Sequence, residues 1–205
     1  MTLPVAKLAV LISGSGSTML NLAHAIDSGD LPARIVLVIA SRSDAVGIDR
    51  ARGAGLACEV LPRKAFADVE TYSNALTACI DAAGVDLVCM AGFLCFWKIP
   101  AHWVGRTLNI HPSLLPDFGG RGMHGMHVHD AVIKSGATQS GCTVHFADNQ
   151  YDHGPVILQR TCPVRPDDTP ATLAARVFAE ERIAYPAAIK NVWLSMQRQI
   201  GGCRP

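Results

Sequence analysis

The chain has 205 residues, 49% hydrophobic and 17% charged, with a formal net charge of +1 and seven cysteines. That length can bury a core without staples, and near-neutral, interspersed charge argues against a nucleic-acid partner or an anionic membrane surface. Cys58, Cys79, Cys89, Cys95, Cys142, Cys162 and Cys203 form no C-x-x-C pair and read as reduced thiols of a cytoplasmic protein; the apolar run 8–12 is too short to span a bilayer and has no signal-peptide surroundings.

Residues 7–12 are predicted as a buried strand. It ends in Ser13-Gly14-Ser15-Gly16-Ser17-Thr18, after which Met19, Leu20, Leu22, Ala23 and Ile26 recur at helical spacing. Strand, glycine turn and helix in that order offer an anion close backbone approach, free N–H groups and the positive end of a helix. Met19 replaces the third glycine of the dinucleotide fingerprint and the P-loop lysine is absent, so the pattern points to a monophosphate. An ordinary strand-to-helix turn of small residues has the same spelling, and the hydroxyls of Ser15, Ser17 and Thr18 favour phosphate.

A second strand is predicted at 35–40, a helix at 45–54 closed by Gly55, and a short strand at 58–61. Asp68 can cap a helix running to about Ala83, Gly84 closes it, and 85–90 is a fourth strand. This alternation predicts an α/β fold, a Rossmann-like, mostly parallel twisted sheet with helices on both faces and ligands beyond the carboxyl ends of the strands. Arg42, after the second strand, keeps an NADP reading open. Phe93-Leu94-Cys95-Phe96-Trp97 follows the fourth strand, as core packing or as a platform for a flat heteroaromatic ligand.

Residues 107–111 alternate, which puts Asn109 and His111 on one side of an extended segment. Pro112 and Pro116 stiffen the exit. An amide and an imidazole held together suit an oxyanion forming on a carbonyl carbon, although Asn-x-His alone also describes a buried, satisfied strand end. The glycine-rich 119–129 segment carries His124, His127 and His129 without a thiolate pair and with few carboxylates, so it reads as a loop over the active site and no metal is expected. At most one of His127 and His129 is expected to face inward, and a helix is predicted at 130–135, stopped by Gly136.

Residues 141–146 and 156–162 read as antiparallel strands, because their link is short. Asp152 lies in that link, where it could swing against His111, raise its affinity for a proton and accept a proton from an attacking amine; a plain turn aspartate is the alternative. Thr169-Pro170 starts a helix that runs through Arg176, Val177 and Glu181 to a kink at Pro186, followed by a terminal helix ending near Gly201 and a few residues expected to be disordered. We expect a single domain, 1–205, with a nucleotide-phosphate-binding half (1–105) and a catalytic half (106–205).

Ser13-Gly14-Ser15-Gly16-Ser17, Ala91-Gly92-Phe93, Asn109-Ile110-His111-Pro112-Ser113-Leu114-Leu115-Pro116, Val144-His145-Phe146 and Asp152-His153-Gly154-Pro155-Val156-Ile157 together resemble the phosphoribosylglycinamide formyltransferases, folate-dependent enzymes of purine synthesis. The resemblance spans essentially the whole chain. It implies the formyltransferase fold with an antiparallel C-terminal strand, and transfer of a formyl group from 10-formyltetrahydrofolate to the amine of glycinamide ribonucleotide. It implies further that no metal and no covalent enzyme intermediate take part, and that the 106–205 half is folate-binding as well as catalytic. It also implies that Asn109, His111 and Asp152 are catalytic, that Gly14, Ser15, Gly16, Ser17 and Glu181 hold the ribonucleotide, and that Cys95, Phe96, Trp97 and His145 receive the folate. Here Cys95 stands where an Arg is common, Ser15 where an Asn is frequent, His153 where a Gly is usual, and the 119–126 segment is longer than expected. A homodimer is left open. The rival enzyme is a formyltetrahydrofolate deformylase, which shares the three catalytic residues, uses water as acceptor and carries an additional N-terminal regulatory domain. Methionyl-tRNA formyltransferase also shares them but implies a further C-terminal domain and a basic tRNA surface. A non-catalytic nucleotide-binding module is the rival of another class.

Overall fold

The computed structural model describes residues 4–201. The chain runs β1 (Ala6–Ile12), α1 (Ser17–Asp27), β2 (Ala33–Ala40), α2 (Gly47–Gly53), β3 (Cys58–Val60), α3 (Val69–Ala82), β4 (Leu87–Met90), β5 (Thr107–His111), α4 (Met126–Lys134), β6 (Gln139–Phe146), β7 (Val156–Pro163) and α5 (Pro170–Gly201). One seven-stranded sheet has the order β3-β2-β1-β4-β5-β6-β7. The pairings from β3 to β5 are parallel, and β6 runs against both β5 and β7. The expected Rossmann-like sheet is therefore present, with β6 as its one reversed strand.

Strand β1 shows why the sheet needs cover on both sides. Leu8, Val10 and Ile12 point into a core shared with Met19 and Leu22 of α1, Ile48 and Ala51 of α2, Val132 of α4 and Leu173 and Val177 of α5. Ala9 and Leu11 point the other way, against Tyr72, Leu76 and Ile80 of α3 together with Trp97 and Trp103. A strand buried on both faces loses the polar alternation of a half-exposed one, which is why 7–12 reads as an unbroken apolar run. As predicted, Asp68 caps α3 by accepting the Thr71 N–H at 2.7 Å.

Three expectations need correction. The predicted 130–135 helix begins at Met126, because Gly125 takes φ 56°, ψ −136°, a backbone state that lets the chain turn abruptly into the helix. His127 and His129 are then two helical positions apart on nearly opposite faces, so His129 is buried and His127 exposed. Pro186 does not divide the C-terminal segment, and α5 is one helix of 32 residues. Proline deprives the carbonyl four residues earlier of its donor. Here that carbonyl, Arg182, accepts from Asn21 Nδ2 at 3.2 Å, and Arg182 Nε donates back to Asn21 Oδ1 at 3.3 Å. A side chain of α1 thus satisfies the group that proline leaves open. The predicted α2 is also shorter than expected, starting at Gly47 rather than 45. Cys203 and the tail expected to be disordered lie outside the described residues.

No helix among the described residues is long and apolar enough to cross a membrane.

Candidate active site

The loops beyond β1, β2 and β4 are tied together by one small residue. Ser13 N–H donates to the Gly92 carbonyl at 3.1 Å, its Oγ accepts the Leu94 N–H at 2.8 Å, and it shares a 2.6 Å bond with Ser41 Oγ. This brings the glycine turn and the 93–97 segment to one edge of the sheet. Ser13 was legible as part of the turn, but not as its tie to two distant loops.

Beside that edge, β5 delivers Asn109 and His111 from the same side of the strand, as alternation requires. Register supplies the third group: Asn109 pairs directly with His145 across the β5–β6 ladder, and His111 with Thr143. Thr143 is buried, and its hydroxyl donates to the Ser113 carbonyl at 2.7 Å while accepting the Leu115 N–H at 3.0 Å and Gln159 Nε2 at 2.9 Å. The proline-bounded loop is thus clamped by hydrogen bonds as well as stiffened by its rings.

Asp152 closes the cluster from the β6–β7 link, in a left-handed conformation with φ 52°. Its Oδ1 accepts Asn109 Nδ2 at 3.3 Å and lies 3.5 Å from His111 Nδ1 and 3.6 Å from His145 Nε2; its Oδ2 accepts the Gly120 N–H at 2.9 Å. The carboxylate, which can only accept here, settles which end of the Asn109 amide is the donor. Partners settle the imidazoles likewise. His145 Nδ1 donates to the Phe146 carbonyl at 2.9 Å, which leaves Nε2 to accept the second Asn109 N–H at 3.1 Å. His111 Nε2 donates to the Phe118 carbonyl at 2.9 Å, so its Nδ1 is the nitrogen that faces Asp152. Phe118 itself holds φ 55°, a second non-glycine residue in the left-handed region at this site.

Burial dominates the titration of His111 and pushes its pKa down, against the upward pull of Asp152. Burial alone would push the Asp152 carboxyl up; the His145 and His111 rings, where protonated, and the Gly120 N–H together hold it below the ordinary carboxylate range. The free site is thus biased towards a neutral His111 beside an ionised Asp152, with Nδ1 as the place where a proton can be taken up.

The cluster lines a cavity of about 730 Å³. Ser15, Ser17 and Thr18 stand on its wall, as do Cys95, Phe96, Asn109, His111, His145, Asp152 and Glu181. Gly14 and Gly16 do not; they shape the turn, and Gly16 has φ 72°. Trp97 borders the cavity, but its indole is buried in the α3-side core and donates to Thr77 Oγ1 at 3.1 Å. Phe96 stacks at a tilt on Tyr151, with ring centroids 5.3 Å apart, which makes Tyr151 a wall residue that spacing alone did not reveal. Glu181 comes from α5, one turn before Tyr185, whose hydroxyl lies 3.0 Å from both the Met90 and Leu108 carbonyls. No side-chain partner is found for Glu181 among the described residues, and burial pushes its carboxyl up to about 7. Arg42 pairs with Asp44 at 2.6 Å in solvent, away from this wall. Among the described residues no three His, Cys, Asp or Glu side chains converge as they would around a metal ion.

A mostly parallel α/β sheet whose carboxyl edge holds an amide, two imidazoles and a carboxylate beside a glycine–serine turn defines a class of α/β protein whose site has groups able to move protons. The chain belongs to the formyl transferase family, whose sequence model matches residues 6–189. It is 37% identical over 185 residues to the phosphoribosylglycinamide formyltransferase of Escherichia coli, covering 89% of this chain and 85% of that one. It is 40% identical over 190 residues to the trifunctional purine biosynthetic protein adenosine-3 of Drosophila pseudoobscura pseudoobscura, where it covers 91% of this chain but spans only 14% of the relative. Among solved structures it is similar to glycinamide ribonucleotide transformylase 1 from Symbiobacterium toebii, with TM-score 0.87, 37% identity, and coverage of 93% of this chain and 89% of that one. It is also similar to the Brucella melitensis phosphoribosylglycinamide formyltransferase, with TM-score 0.83, 38% identity, and coverage of 92% and 96%. The fold expected from the resemblance is the fold observed.

Proposed function

We propose that this chain transfers the formyl group of 10-formyltetrahydrofolate to the amine of glycinamide ribonucleotide, a step of purine biosynthesis. The observation that carries this reading is the Asn109–His145–Asp152–His111 cluster, set in one cavity between the Ser15–Ser17 turn and the 93–97 segment. The relatives named above support it. The 106–205 half carries the chemistry, and the 1–105 half supplies the phosphate turn.

In this mechanism the amine nitrogen attacks the formyl carbon, and the carbonyl oxygen becomes an oxyanion. Asn109 stabilises it by turning the N–H of its longer bond, the 3.3 Å one to Asp152, towards the new charge. His111, protonated at Nδ1 and backed by Asp152, adds positive charge nearby. Asp152 accepts the amine proton directly or through water, the carbon–nitrogen bond to the folate breaks, and the leaving nitrogen receives the proton. His145 holds the Asn109 amide in register, and the 93–97 segment with Tyr151 receives the pterin.

A direct assay with 10-formyltetrahydrofolate, with and without glycinamide ribonucleotide, tests the reading. Formylated ribonucleotide formed only with the acceptor, and no free formate, is the expected result. Formate released regardless of acceptor would make this a hydrolase, and silence in both would return it to a nucleotide-binding module.

Glu181 gives a pH signature. As a carboxylate it accepts two hydroxyl hydrogen bonds from a ribose, and as an acid it does so poorly. Since it ionises above about 7, kcat/KM for the ribonucleotide is expected to rise with pH through that value. Glu181→Gln is expected to lose that step and about 10-fold in kcat/KM, in line with a charge-assisted hydrogen bond. A profile unchanged by the substitution would remove Glu181 from the ribonucleotide site.

A further inference from the structure

Helix α2 is docked on the phosphate turn through glycine. Gly47 N–H donates to the Gly14 carbonyl at 2.9 Å. A Cβ on Gly47 would stand 3.0 Å from that carbonyl oxygen, 3.1 Å from Gly16 Cα and 2.6 Å from Ile12 Cδ1. Any larger residue would push the helix off the turn. One helical turn further on, this close approach sets Arg50 beside the same loop, where Nη1 donates to the Ser15 carbonyl at 3.0 Å and to Ser17 Oγ at 3.3 Å. The Ser15 and Ser17 hydroxyls are themselves 3.0 Å apart.

Behind Ser17 lies a second recess of about 250 Å³, walled by Asn21, His24, Arg50, Phe178 and Arg182 among others, with no carboxylate on its wall. Neither guanidinium belongs to an ion pair among the described residues. Two unneutralised arginines facing one small space repel each other and favour an anion between or beside them. The main cavity offers no substitute nearby, because its wall holds one Lys or Arg, Arg121, on the glycine-rich loop between β5 and α4.

We propose that Arg50 gives the site its specificity for a phosphomonoester, bridging the Ser15–Ser17 turn and the phosphate of the acceptor. This rests on the ribonucleotide acceptor proposed above. Such a phosphate carries a charge of about −1.5 to −2, whereas the N-terminus of α1 answers it with only about half a positive charge. A guanidinium supplies a whole charge and a planar fork. With Nη1 committed to the turn, Nη2 and Nε are left for phosphate oxygens. Arg182, held by Asn21, raises the positive potential from the far side of the recess without touching the ligand.

The test compares wild type, Arg50→Met, Arg50→Lys and Arg182→Met with two acceptors, glycinamide ribonucleotide and the same riboside without its phosphate. Thermal unfolding of each variant checks the fold. Arg50→Met is expected to raise KM for the ribonucleotide about 10- to 100-fold while kcat changes much less, as loss of a charge-assisted contact shared by ground and transition states requires. It should lower kcat/KM for the riboside far less than for the ribonucleotide, Arg50→Lys should recover part of the loss, and Arg182→Met should cost about 3-fold. An equal loss with both acceptors would show that Arg50 only builds the turn and would overturn the proposal, as would an unchanged KM for the ribonucleotide. Ribose 5-phosphate titrated into the same proteins and followed by phosphorus NMR decides the point without turnover. Weaker binding to Arg50→Met than to wild type sustains the proposal even if wild type formylates neither acceptor, and equal binding defeats it even if wild type is a transferase.

Discussion

Asp152→Asn is expected to lower kcat by about 10³-fold while leaving KM for the ribonucleotide within a few-fold of wild type. The amide keeps the shape of the carboxylate but only one acceptor oxygen, so one of the two donors, the Gly120 N–H or the Asn109 amide, retains its partner. It cannot take a proton from the attacking amine, and it withdraws the negative charge that favours protonated His111 Nδ1, 3.5 Å away. Two contributions are lost together, each worth about 10²-fold or more on its own. His111→Asn should cost a similar amount. Because the two groups act as a unit, the double variant should be hardly worse than either single one. Multiplying losses would mean that the residues act independently, and undiminished turnover in Asp152→Asn would end the proposed mechanism. The measurement is steady-state turnover of formylated ribonucleotide, supported by single-turnover kinetics to separate chemistry from product release.

The largest expected effect on stability sits two residues further along. A Cβ on Gly154 would stand 1.9 Å from the Phe146 carbonyl oxygen, and the Phe146 N–H donates to the Pro155 carbonyl at 2.9 Å. The obstacle is backbone on both sides, so no rotamer change relieves it. Gly154→Ala is expected to destabilise the protein by at least about 3 kcal/mol, which lowers Tm by roughly 6–12 °C in a chain of this size. Whatever folded protein remains should turn over slowly, since relief of the clash displaces the loop bearing Asp152, and misplacement by about 1 Å can cost 10²-fold. Gly53→Ala is the control. Gly53 has nothing within 4 Å of a new Cβ and lies at the end of α2 without a positive φ, so alanine there should be neutral or add up to about 1 kcal/mol. Thermal denaturation of the two variants side by side makes the comparison, and equal Tm values would show that the Phe146–Gly154 approach is not constraining.

Histidine shows where reading from sequence reached its limit. His111 announces itself, because it stands two residues from Asn109 at the end of an alternating strand and before proline. His145 lies in a second alternating strand 34 residues on, and only the β5–β6 register makes it the direct neighbour of Asn109. His129 was one of three crowded histidines until Gly125 started a helix four residues early and turned it inward. Its Nδ1 is buried without a hydrogen-bond partner among the described residues, and the strand alternation of the sequence reading did not anticipate that helical placement.

Local chemistry determined much of this protein. Apolar runs buried on both faces, an Asp cap on α3 and strand–helix alternation suffice for the sheet, because each depends on neighbours within a few residues. The Gly-Ser turn, the Asn-x-His strand end and Asp152 are legible for the same reason. Tertiary structure decided what those groups meet: the Phe118 carbonyl and Gly120 N–H that orient His111 and Asp152, the Asn21 amide that lets α5 run through Pro186, and the approach of Gly47 that brings Arg50 to the turn. Each of these is a contact between segments distant in the chain or a backbone group freed by an unusual φ. Such contacts depend on how the sheet closes and the helices dock, which no local pattern encodes.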